Sequence, residues 1–201
     1  MGQYWRAAIG NDKVQAGIDG YVDNEYVMAK LTEHGWWDNQ YANNVAYMIY
    51  NAPQRVAWIG DYADSEEFYN TTPNGEITLA SKTSSAEKPL LSKVVWNDDT
   101  PKITGLVSIE FNLENKYLIN HDTKEFLDCS KYAENSKGTW GILHPLTLLT
   151  AVGNGMGGGD FNGKTREMED NVGIWAWNLL EIKDTKPLGY NEVEYTFIEE
   201  C

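Results

Sequence analysis

The chain has 201 residues, of which 42% are hydrophobic and 12% aromatic, and its formal net charge is −14. This apolar content is too high for a disordered chain, and the length suits a single domain with its own core. A strongly acidic surface repels phosphate, so the composition argues against a protein that binds duplex DNA or RNA.

The sequence also predicts where the protein works. It contains no apolar run of about 20 residues and no signal-peptide pattern, which favours a cytoplasmic protein without membrane contact. Only two cysteines occur, Cys129 and Cys201, and they do not indicate the disulfide framework of a secreted domain. The oligomeric state stays open.

The first 60 residues predict a hairpin, a helix and a strand. Residues 3–9 and 14–22 are strand-like and flank the turn sequence Gly10-Asn11-Asp12. Asp38 is a suitable cap for a helix whose apolar residues recur every four positions until Pro53. The apolar run 56–59, ended by Gly60, predicts a buried strand.

The second half predicts a further hairpin, a helix and two strands. Strand-like runs at 116–120 and 125–130 flank a four-residue connection. Pro145 suits the first turn of a helix. We place Val152 on the apolar face of this helix and expect the helix to end at Gly153. Residues 172–182 and 192–198 are rich in strand-forming residues. We therefore predict one α+β domain spanning 1–201, with a mostly antiparallel sheet, two to four helices and a loop-rich region at 70–105.

A glycine segment follows the predicted helix. Five of the 18 glycines lie between Gly153 and Gly159, and such a bare backbone indicates either special turns or close approach of a ligand. A P-loop is not indicated, because a helix precedes the segment rather than follows it. The candidate ligand-binding residues are Trp36, Trp37, Asn154, Gly155, Gly157, Gly158, Gly159, Asp160 and Arg166.

Oxygen-bearing and imidazole side chains suggest a divalent metal ion as an alternative. Asp160 and Asn162 carry ligands that Ca²⁺ or Mg²⁺ prefers. A metal-dependent hydrolase could use the candidate catalytic residues Asp61, Asp64, His121 and His144 together with Asp160. Each also has a structural interpretation: Asp64 suits a helix cap, and lone histidines are often structural.

Aromatic side chains offer a stacking surface. Trp36 and Trp37, close to His34, could hold a planar ligand, although Trp37 could equally pack at the entry of the predicted helix. Trp175 and Trp177 are predicted to share one face of a strand and to belong to the core.

Several segments together resemble an uncharacterised family of small proteins from bacteria and their phages. They are MGQYWRA at the start, EHGWWDN, VAWIGDYAD, KYLINHDTKEFLDCSKY and HPLTLLTAVGNGMGGGDF. The resemblance covers most of the chain outside residues 70–105. It implies a role in a phage or in phage defence, and it transfers no catalytic residue.

The leading hypothesis is a small-ligand binding module that sequesters a nucleotide-like signalling molecule. An anionic ligand would require convergence of the cations Arg6, Arg55, Lys164 and Arg166. The alternatives are a phosphoesterase-like metal-dependent hydrolase and an acidic protein that binds or inhibits a basic protein partner.

Overall fold

The structure is a computed structural model that describes residues 3–11, 18–22, 30–61, 63, 102–103, 110–136, 142–153 and 166–197. The strands are β1 Trp5–Gly10, β2 Ile18–Val22, β3 Gln54–Gly60, β4 Lys102–Ile103, β5 Tyr117–Asn120, β6 Glu125–Asp128, β7 Ala151–Val152, β8 Asn178–Lys183 and β9 Asn191–Glu192. The helices are α1 Leu31–His34, α2 Gln40–Met48, α3 Ser130–Ser136, α4 Pro145–Leu149 and α5 Arg166–Asn171.

All described strands belong to one sheet. Its order is β4-β2-β1-β3-β8-β5-β6-β9, and β7 pairs with β3 beside this path. The long pairings are antiparallel, whereas the parallel pairings involve the two-residue strands β4, β7 and β9. The predicted single-domain α+β fold with a mostly antiparallel sheet is therefore confirmed.

The two predicted hairpins are present. β1 pairs with β2 from Ala8↔Tyr21 onwards, and β5 pairs with β6 from Tyr117↔Asp128 to Asn120↔Glu125. The described residues contain five helices rather than two to four, and four of these have seven residues or fewer. Such short helices leave little periodic pattern in a sequence.

Several local predictions are wrong. The cap of α2 is Asn39, whose side chain accepts from the Ala42 N–H, and not Asp38. Val152 lies in β7, because the chain after α4 pairs with β3 instead of continuing the helix.

Residues 193–197 of the predicted strand 192–198 have no regular secondary structure. Residues 172–177 form turns instead of the predicted strand. Positive φ values at Gly173 and Trp177 break any extended run there. Consequently Trp175 and Trp177 do not share a strand face, although both are buried as predicted.

The main core lies on one face of the sheet. Alternate residues such as Trp5 on β1 and Trp58 on β3 pack there against the apolar side of α2, which presents Tyr41, Val45 and Ile49. A smaller cluster around Ile59 and Trp177 covers the other face. Among the described residues, no helix is long and apolar enough to cross a membrane.

Candidate functional site

A cavity of about 490 Å³ lies beside the N-terminal half of α2. The lining comes from α2 and the residues ahead of it, from the segment before β5 and from α3. It consists of Trp37, Asp38, Gln40, Asn43, Glu110, Phe111, Asn112, Glu114 and Ala133. This volume lies within the range of small-molecule sites in proteins. We call it the α2 cavity.

The lining of the α2 cavity is aromatic, acidic and amide-bearing. The aromatic rings are Trp37 and Phe111, the carboxylates are Asp38, Glu110 and Glu114, and the amides are Gln40, Asn43 and Asn112. Such a lining offers ring faces and many hydrogen-bond acceptors. None of the described residues that line it is a lysine, arginine or histidine.

Asn43 is a lining residue whose side-chain oxygen is buried without a described hydrogen-bond partner. It is only 5% exposed, and its Nδ2 donates to the Trp37 carbonyl over 3.4 Å. Its buried Oδ1 has no partner within the described structure. A buried amide oxygen without a donor costs free energy.

Lys116 lies behind one wall of the cavity. Its Nζ is 5.3 Å from the centre of the Phe111 ring and 2.8 Å from Asp184 Oδ1. This ion pair and a hydrogen bond from Tyr50 hold the pKa of Asp184 below its usual range. The Lys116 charge is therefore already compensated outside the cavity lining.

The two predicted tryptophans have different roles. Trp37 contributes to the α2 cavity, as a ligand-binding residue would. Trp36 instead donates from its Nε1 to the Thr32 carbonyl over 3.0 Å and stacks on His34. The two side chains do not form one platform.

Gly153 is the one glycine of the glycine segment that the structure describes. A Cβ at this position would lie 2.2 Å from Cη2 of the buried Trp5 and 2.5 Å from Gln3 Oε1. The chain's own side chains therefore occupy the space that this glycine leaves. The other predicted residues of the segment, Asn154, Gly155, Gly157, Gly158, Gly159, Asp160 and Asn162, lie outside the described residues.

His144 is a buried helix cap. Its Nδ1 accepts from the Leu146 N–H at the start of α4, over 3.2 Å, and the side chain is 0% exposed. Burial lowers its pKa to about 3. The neutral imidazole therefore caps α4.

His121 lies on the opposite face of the sheet from the main core. Its Nε2 is 3.0 Å from an oxygen of the buried Glu181, and its Nδ1 is 2.8 Å from the Tyr190 hydroxyl. Both ring nitrogens are thus engaged. The contacts tie the segment after β8 to the turn between β5 and β6.

Asp61 connects β3 to β1. Its Oδ1 accepts from the Tyr4 N–H over 3.1 Å, and its own N–H donates to the Tyr4 carbonyl. Across the described part of the chain, no three His, Cys, Asp or Glu side chains lie close enough to hold a metal ion. Asp61, His121 and His144 are therefore not brought together, and Asp64 lies outside the described residues.

Two of the cations proposed for an anionic ligand, Arg6 and Arg55, are separated along the sheet. Arg55 forms an ion pair with Asp122, with 2.7 Å between the nearest atoms. Arg6 pairs with Ile59 and Arg55 with Gly10 in the β1–β3 register, which places them about 13 Å apart along the strands. Arg166 begins α5, and Lys164 lies outside the described residues.

Cys129 is structural. It is free and fully buried, and burial raises the pKa of its thiol to about 12. A thiol that stays protonated is a poor nucleophile and a poor metal ligand.

Searches with protein-family models, among curated proteins and among solved structures found no match to this chain. The site is therefore argued from its own geometry.

Proposed function

We propose that the protein is a small-ligand binding module and that the α2 cavity is its ligand site. The observation that carries this proposal is a cavity of about 490 Å³ whose lining combines two aromatic rings with amide and carboxylate side chains. Trp37 and Phe111 supply the apolar surface that such sites combine with a few polar groups.

The nucleotide-like ligand and the phage context stay predictions. The first depends on glycine-segment residues outside the described structure. The second depends on the resemblance to bacterial and phage proteins, which assigns no residue a role. The assignment of the ligand site to the α2 cavity uses neither the glycine segment nor the resemblance.

The Asn43→Leu variant tests the proposed function. Leucine has the same branching at Cγ and removes both the amide oxygen and the donor to the Trp37 carbonyl, so we expect the free energy of unfolding to fall by no more than about 1 kcal/mol. Compounds that raise the Tm of the wild-type protein in a screen of amines, amino acids and nucleotides should raise that of the variant much less.

Thr147→Val is the matched control for this variant. It removes a buried hydroxyl that donates to the His144 carbonyl over 2.8 Å, away from the cavity lining. We expect a loss of about 1 kcal/mol in stability and unchanged ligand response. Lower stability together with an intact ligand response in Asn43→Leu would show that Asn43 serves only the fold.

A further inference from the structure

A chain of hydrogen bonds joins three segments on the face of the sheet opposite the main core. Glu181 lies on β8, His121 begins the turn between β5 and β6, and Tyr190 directly precedes β9. His121 Nε2 is 3.0 Å from Glu181 Oε2, and His121 Nδ1 is 2.8 Å from the Tyr190 hydroxyl oxygen. A hydroxyl, a base and a group that orients the base, at such distances, form the arrangement of nucleophilic catalysis.

The direction of each hydrogen bond in this chain follows from Glu181. A carboxylate accepts, so His121 Nε2 carries the ring hydrogen and donates to Glu181. Nδ1 of the neutral ring is then the acceptor, and the Tyr190 hydroxyl donates to it. His121 is therefore held in the tautomer that can take the proton from Tyr190.

The two ends of the chain differ in exposure. The Glu181 side chain is buried, and it has a second partner in Lys183, whose Nζ is 3.1 Å from the same oxygen. A buried carboxylate with two such partners has a fixed position. Tyr190 is partly exposed, and 23% of the His121 side chain is accessible, so a reagent can reach the hydroxyl end.

Lys124 places a cation at the Tyr190 hydroxyl. Its Nζ donates to this hydroxyl oxygen over 3.1 Å and lies 4.9 Å from the centre of the ring. The backbone of Lys124 has a φ of 60°, a conformation that favours glycine and asparagine. The turn by itself does not favour lysine there, so the position of the ammonium group favours a further role.

We propose that Tyr190, His121 and Lys124 form a nucleophilic site for activated acyl esters, with Glu181 as a positioning residue. Tyr190 Oη attacks the acyl carbon while its proton passes to His121 Nδ1. The bond from the acyl carbon to the leaving oxygen then breaks, and that oxygen takes up the proton from His121. Lys124 Nζ donates to the acyl oxygen as it becomes negative.

Water completes the reaction. It hydrolyses the tyrosyl ester, which releases the carboxylic acid and restores the Tyr190 hydroxyl. These residues do not line the α2 cavity, so the inference does not rest on the proposed function.

Labelling with benzenesulfonyl fluoride tests the nucleophile. The attacking phenol oxygen forms a bond to sulfur, and fluoride leaves. We expect Tyr190 to be modified at least about tenfold faster than Tyr4, because His121 can take the proton from Tyr190. Tyr4 is a strict internal reference, since it is 52% exposed and Tyr190 is less accessible. Site-resolved mass spectrometry measures both in one sample, and a Tyr190 rate equal to or below that of Tyr4 would overturn the inference.

Two variants separate reactivity from stability. His121→Gln lacks the basic nitrogen and should slow Tyr190 labelling about tenfold or more. Lys124→Asn suits a positive φ, so we expect its Tm to hold or rise while Tyr190 labelling slows about fivefold or more. Lys30→Asn at the start of α1 removes a cation of the same type and should change the labelling less than about twofold. Unchanged labelling in His121→Gln or in Lys124→Asn would overturn the inference, whatever the Tm.

The positioning role of Glu181 has a spectroscopic test. The ¹⁵N shifts of the neutral His121 ring should show a hydrogen on Nε2 and none on Nδ1 in the wild type. Glu181→Gln can also donate to the ring, so this preference should weaken and Tyr190 labelling should slow while Tyr4 labelling stays unchanged. A hydrogen on Nδ1 in the wild type would contradict the assigned direction of the hydrogen bonds.

Hydrolysis of p-nitrophenyl acetate tests the acyl transfer. We expect repeated turnover by the wild type, and a steady-state rate about tenfold or more lower in Tyr190→Phe. An equal rate in Tyr190→Phe would overturn the acyl-transfer step. Neither result bears on the α2 cavity, for which Asn43→Leu is the test.

Discussion

Replacing Asp122 by alanine is expected to lower the free energy of unfolding by about 3 kcal/mol. The Arg55 side chain is only 5% exposed, and its guanidinium lies 2.7 Å from Asp122. Without the carboxylate, the buried charge retains the Trp177 carbonyl, which accepts its other described hydrogen bond over 2.8 Å. One carbonyl does not compensate the desolvation of a guanidinium.

Replacing Arg55 instead of Asp122 should lower the free energy of unfolding by a smaller amount. Asp122 is 26% exposed, so water can hydrate its carboxylate in the Arg55→Met variant, and we expect a loss of about 1–2 kcal/mol. Urea unfolding at constant m-value measures both effects. The Asp122→Asn variant keeps an acceptor without the charge, so its loss of unfolding free energy should lie between those of Asp122→Ala and Arg55→Met. A larger loss for Arg55→Met than for Asp122→Ala would contradict this asymmetry.

Replacing His144 by asparagine is expected to remove about 2 kcal/mol of pH dependence between pH 7 and pH 5. The folded protein holds His144 neutral because burial lowers its pKa to about 3. In the unfolded chain the imidazole has its ordinary pKa of about 6.5 and takes up a proton as the pH falls. The contribution of His144 to the stability of the wild type therefore decreases below about pH 6.5 and continues to do so down to about pH 3.

Asparagine is a matched replacement because it caps helices well and does not titrate. The measurement compares the free energy of unfolding at pH 7 and pH 5 for both proteins, so that other titrating groups cancel in the difference. An identical pH dependence in the wild type and His144→Asn would show that the folded protein does not keep this imidazole neutral.

The sheet was largely predictable because its strands leave local signals. The hairpin of β5 and β6 follows from two short strand-like runs around four polar residues, and α2 follows from apolar residues at helical spacing. Residues 172–177 were not predictable in the same way. Their Trp, Ile and Val content favours a strand, but the turns at Gly173 and Trp177 depend on packing against the rest of the chain.

The α2 cavity was only partly predictable. Trp37 was identified from its neighbours, but the lining residues at 110–114 come from a distant part of the chain, and no local pattern pairs the two. One signal exists: Gln40 and Asn43 are polar residues three positions apart on α2. Such residues lie on one helical face.

At Gly153, the first residue of the glycine segment, the structure gives a different reason for the glycine from the one that suggested a ligand. An external ligand was one explanation for missing side chains there. Around Gly153 the space is instead filled by Trp5 and Gln3 of the first strand region. Sequence alone does not distinguish these causes, because both require the same glycine.

The most direct test of the ligand site is an NMR titration of the wild-type protein with the compound that raises its Tm most in the screen. The account predicts saturable shifts of the Trp37 indole N–H and the Asn43 side-chain amide, while the indole N–H of the core residues Trp5 and Trp58 stays in place. Saturable shifts confined to the backbone amides of residues 155–159, or no saturable shift at either location, would contradict the assignment of the ligand site to the α2 cavity.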